Sequence, residues 1–116
     1  MELIVKNITN LKEIKGLEKV NKLVVYGNTN LNKIEGLPDN IEHLHLLGNN
    51  MIKKIENLPS KLKTLEIDGY NRVEKLENLP DTLETIIMAG WSRAKNIEAI
   101  PKGIKYISIN GLILKK

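Results

Sequence analysis

No cysteine occurs among the 116 residues, which excludes a disulfide framework and a cysteine nucleophile. Phenylalanine is also absent and there is one tryptophan, so the core has to be aliphatic. No apolar run approaches the roughly 18 residues of a membrane span, and no charged-then-apolar leader precedes the first apolar positions. A reducing, cytoplasmic setting without a membrane is therefore the expectation. No serine sits in a pattern with histidine and an acid, and no Gly-rich phosphate loop is present. Neither catalysis nor a cofactor is expected from such a chain.

The formal net charge is +4, with 18 Lys and Arg against 14 Asp and Glu. Placement decides what that excess means. The cations alternate with acids, as in Lys33 with Glu35, Lys54 with Glu56, and Lys75 with Glu77. A phosphate-binding stripe should be unopposed, so nucleic acid is not expected as a partner. Screened surface ladders, each pair worth less than about 1 kcal/mol, are the simpler reading.

What the chain does contain is a repeat. Leu3, Leu23, Leu44, Leu65, Ile86 and Ile107 follow at intervals of 20, 21, 21, 21 and 21 residues. Two residues on are Val5, Val25, Leu46, Ile67, Met88 and Ile109, and two further are Gly27, Gly48, Gly69, Gly90 and Gly111, with Asn7 in the first copy. Leu11, Leu31, Ile52, Val73 and Ala94 form another apolar column, then Ile14, Ile34, Ile55, Leu76 and Ile97. Leu17, Leu37, Leu58, Leu79 and Ile100 come next, and the four prolines follow the last four of these directly. Each repeat buries little alone, and stacking builds the shared core.

This pattern resembles the leucine-rich repeats, with L-x-x-L-x-L at a period near the short end of that family's range. The openings LPDNIEHL, LPSKLKTL and LPDTLETI are similar to bacterial effector-type members. The family's asparagine is present as Asn28 and Asn49, with Tyr70 and Trp91 at that place in the next two copies. Asn50 and Asn71, one place later, are candidates for the same role. The resemblance implies a leucine-rich-repeat right-handed solenoid of α/β class covering residues 1–116 as one domain, about five and a half repeats with minimal caps. Six short parallel strands would line the concave face. Proline in four returns and the short period favour extended or single-turn 3₁₀ backs with little or no α-helix.

Alternation along each strand turns three columns outward. They supply the candidate site: Lys22, Val24, Tyr26, His43, His45, Leu47, Thr64, Glu66, Asp68, Thr85, Ile87 and Tyr106, with Tyr70 and Trp91 at the rim. Trp91 has two readings: its indole fills the volume that Ala94 leaves, or it stands at the rim as an anchor. His43, His45 and Glu66 share a face, but without supporting groups they are not expected to hold a metal. This mixture of Tyr, His, aliphatic and carboxylate groups points to a protein partner. The first expectation is a non-catalytic interaction module. The alternatives are an effector or inhibitor docking on a host protein, which the Leu-Pro resemblance implies, and a unit that self-associates through its ends. The last coil looks uncapped, to be covered by a partner or a second copy in a homodimer, or blunted by Lys115 and Lys116 alone.

Overall fold

An apolar residue at every second position makes a strand with one buried side, and a constant interval sets equivalent strands beside each other. The computed structural model describes residues 1–27, 30–74, 76, 78–90 and 100–115. Its strands are β1 (Glu2–Lys6), β2 (Lys22–Tyr26), β3 (His43–Leu47), β4 (Thr64–Asp68), β5 (Thr85–Met88), β6 (Tyr106–Ile109) and β7 (Leu112–Lys115). They form one sheet in sequence order. The first six run parallel and wind a β-solenoid of about five turns. Leu3, Leu23, Leu44, Leu65, Ile86 and Ile107 are successive register partners with no slip. Leu23, Leu44, Leu65 and Ile86 are fully buried, and Leu3 and Val5, in the end coil, are partly so.

The returns are as lean as their prolines imply. Among the described residues there is no α-helix, and two single 3₁₀ turns, Leu11–Glu13 and Leu17–Lys19, both belong to the first coil. Elsewhere each proline carbonyl accepts the backbone N–H three residues on: Pro38 from Ile41, Pro59 from Leu62, Pro80 from Leu83 and Pro101 from Ile104. The imino ring thus opens a turn in which its missing N–H is not needed. Asn57 and Asn78 precede the Leu-Pro pairs with φ of 57° and 55°, the left-handed region that asparagine tolerates best after glycine.

Coils meet closely at the glycine that ends each strand. Gly69 has φ 92°, and a Cβ there would lie 2.6 Å from the carbonyl carbon and oxygen of Gly48. Gly90 repeats this against Gly69, with φ 83° and 2.6 Å to the Gly69 nitrogen. Both reasons for glycine, backbone conformation and close approach, therefore hold at the same position.

Asn50 and Asn71 are buried, and each side-chain oxygen accepts the backbone N–H two residues on, from Ile52 at 3.0 Å and Val73 at 3.1 Å. These bonds stay within a coil. Links between coils come from Asn49, whose Oδ1 accepts the Tyr70 N–H at 3.0 Å, and from Asn40, whose Nδ2 donates to the Leu17 and Val20 carbonyls at 2.9 and 2.7 Å. Asn28 lies outside the described residues, as do Lys75, Glu77, Trp91, Ala94 and Ile97, so neither reading of Trp91 is placed by the structure.

Two expectations change. Ile100 ends its column with half its surface exposed rather than in the core. The last coil is also not left open: Leu112–Lys115 turns back and pairs antiparallel with β6. The turn is Asn110–Gly111, with φ of 49° and 90°, the two positive values of a type I′ hairpin. The sheet edge at this end is therefore β7 rather than β6, and any second copy joining there would meet a hairpin.

Candidate partner-binding face

Because Leu44 and Leu46 go inward, their neighbours His43, His45 and Leu47 line the other side of the sheet. The same parity puts Lys22, Val24 and Tyr26 on that side in β2, and Thr64, Glu66 and Asp68 in β4. Thr85 and Ile87 follow in β5, and Tyr106 in β6. Registration turns these into rows: Tyr26 beside Leu47 beside Asp68, and Val24 beside His45 beside Glu66 beside Ile87. Tyr26 and Asp68 are exposed, and the other members of these two rows are half-buried.

Across the strands of the face, His45 Nδ1 lies 2.9 Å from Glu66 Oε2. Burial holds the His45 imidazole below its ordinary 6.5; Glu66 opposes that shift, while Lys22 and His43 add to it. The pair is a neutral imidazole donating to a carboxylate when the Nδ1 tautomer carries the proton. His43 does not join it, and among the described residues no three His, Asp or Glu side chains converge as metal ligands. Tyr26 lies against Lys6, whose Nζ is 5.7 Å from the ring centroid, within cation–π range. Asp68 turns back to accept the Gly69 N–H at 2.7 Å. Tyr70 stands at the rim, 54% exposed, and Trp91 lies outside the described residues.

At the entry to the strands runs a charge ladder that pattern reading missed. Lys63 reaches Glu42 at 3.4 Å and Lys105 reaches Glu84 at 3.0 Å. Lys105 holds the Glu84 carboxyl below the usual range by hydrogen bond and charge. The signal was in the sequence, since Glu42, Lys63, Glu84 and Lys105 recur every 21 residues with alternating sign.

Apolar surface continues to both ends of the face. Ile4 is 56% exposed at the β1 end and Ile113 is 52% exposed on β7. Ile113 is the register partner of Ser108, an outward position of β6, so the hairpin extends the row that holds His45 and Glu66. Seven strands give six gaps, about 29 Å of width, and the strands are roughly 13–16 Å long.

Among known families, the FNIP Repeat model matches residues 30–70. That stretch runs from the first return after β2 through β3 to the turn after β4. No curated protein and no solved structure matches the chain. A partial repeat-family match together with stacked parallel strands marks this as a repeat protein. Among the described residues no helix is long and apolar enough to cross a membrane.

Proposed function

We propose that the chain is a non-catalytic protein-interaction module of leucine-rich-repeat type, and that it binds its partner on the outward face of the sheet. Tyr26, His45, Leu47, Glu66, Asp68 and Ile87 form the centre of that face. The observation that carries the reading is a sheet whose inward side is filled with aliphatic residues while its outward side is packed against no other described element. Its amphipathic rows suit a protein surface, where aromatic and aliphatic groups supply contact and charged neighbours supply selectivity. Among the described residues the outward side of the sheet is an open surface rather than the enclosed, water-excluding cleft that most chemistry requires.

The experiment is the double substitution Leu47→Arg with Ile87→Arg. A partner recovered from the native host with the unaltered chain is purified and titrated against both proteins. Binding should weaken at least ten-fold while the melting temperature stays within a few degrees. Undiminished binding by the variant would assign recognition to another surface.

A further inference from the structure

Five of the lysines whose positions are described are neutralised by carboxylates. Lys12 and Lys33 both reach Glu35 at 3.6 Å, Lys22 reaches Glu2 at 3.4 Å, and Lys63 and Lys105 have the partners described above. Other cations, such as Lys15, Lys19, Lys61 and Lys102, have no such partner among the described residues, and three more of this kind gather in one place. A surface groove of about 480 Å³ crosses the returns of three successive coils, lined by Asn32, Lys33, Met51, Lys53, Lys54, Glu56 and Arg72. Lys53, Lys54 and Arg72 have no ion-pair or hydrogen-bond partner for their side chains among the described residues. Lys54 and Glu56, which the sequence suggests as a screened pair, form no ion pair; the equivalent Lys33 and Glu35 do. Four cationic side chains thus face one carboxylate, and three of the four are uncompensated.

We infer that this groove is a binding site for a short polyanion of linked phosphoryl groups. Three features select that chemistry. Arginine and lysine together recognise phosphate oxygens, the first through its planar fork and the second as a compact charge. The uncompensated Lys53, Lys54 and Arg72 stand on two adjacent coils and Lys33, shared with Glu35, on a third, so the four cations span two gaps or about 10 Å, which a chain of two or three phosphoryl groups covers and a single phosphate does not. The groove volume is within the range of small-ligand sites. Carboxylates stand at its edges, Glu35 beside Lys33 and Glu74 one coil on from Lys53. The site is separate from the sheet face and depends on no part of the reading given for it.

Inorganic tripolyphosphate is the probe, titrated calorimetrically into the whole chain at about 100 mM salt. The inference expects saturable binding that weakens at least ten-fold in Lys54→Gln with Arg72→Gln. Glu56→Gln should bind more tightly, because it removes the lining carboxylate. Lys63→Gln with Lys105→Gln removes the same total charge elsewhere and should leave affinity unchanged. All these side chains are at the surface, and circular dichroism confirms that each variant remains folded. ATP offered in parallel shows whether a nucleoside adds affinity to the phosphate chain. Absence of binding, equal weakening in the Lys63 and Lys105 variant, or tighter binding of a ten-nucleotide single-stranded RNA than of tripolyphosphate would each overturn the assignment.

Discussion

Replacing Gly69 by alanine tests whether the close packing of coils at the strand ends is a real constraint. Two costs arise together. The φ of 92° places an L-residue in left-handed space, which costs about 1–2 kcal/mol. The new methyl would also start 2.6 Å from Gly48 backbone atoms, where ordinary contact begins at 3.4 Å. Those atoms are main chain and have no rotamer to change. Relief means separating the coils locally by the difference, about 0.8 Å, and Gly48 N–H to Asp68 O is already 3.1 Å. Stretching that bond and a neighbour beyond the hydrogen-bond range loses about 1 kcal/mol each. The sum is about 3–4 kcal/mol, a large share of the 5–15 kcal/mol typical of a domain. Gly16 is the control, because its φ is 75° yet a Cβ there meets nothing within 4 Å. Gly16→Ala should cost only the conformational part, about 1–2 kcal/mol. Urea unfolding followed by circular dichroism measures both. Equal losses at the two positions would refute the close-approach argument and leave backbone conformation as the sole reason for the glycine column.

The core makes a similar comparison between middle and end. Leu65→Ala, fully buried between Leu44 and Ile86, should cost about 2–5 kcal/mol. Leu3→Ala, partly buried in the first coil, should cost less than half as much in the same unfolding assay. The His45 pKa gives a pH dependence. Because the folded value lies below the ordinary 6.5, the unfolded chain binds the proton more readily in that region. Its stabilising contribution is complete above 6.5 and is lost as pH falls through the lower folded value. Melting temperatures between pH 7.5 and 5 should decline more in the native chain than in His45→Gln, and parallel declines would remove the assignment to this residue.

Much of the fold was legible because each repeat states the same constraint again. Leu23, Leu44, Leu65 and Ile86 come at one interval, and a slip of one residue would turn every buried side chain outward. Hence the strands, their register and the outward rows follow from spacing alone. The terminal hairpin was hidden by that same regularity. Gly111 falls on the column of strand-ending glycines, so it reads as one more of them. Yet Asn110–Gly111 between Ile109 and Leu112 is also the strongest short-range hairpin signal, and the structure follows it. A column has force only where a further coil exists to stack on it. Side-chain pairing was the least legible level. Lys33–Glu35 and Lys54–Glu56 are alike in sequence, but only Lys33 of the two lysines reaches its carboxylate among the described residues. Lys12 also reaches Glu35, and extended side chains choose among neighbours on adjacent coils.

Size constrains how the proposed face works. Multiplying its width by the strand length gives about 400 Å², half of the roughly 800 Å² that each partner contributes to a standard interface. The strands alone would support a weak contact. The rim and the sheet ends have to supply the remainder, and they carry the means: Tyr70, Ile4 and Ile113 are each more than half exposed. Aromatic anchors at such positions contribute out of proportion to their area. Tyr26 sits inside the same perimeter with Lys6 against its ring, already restricted before a partner arrives. A partner that fits must be narrow enough to lie across strands of this length and long enough to reach both Ile4 and Ile113. An extended segment or one helix of a partner meets both conditions, whereas a broad flat surface would leave the half-buried central row of His45, Glu66 and Ile87 unfilled.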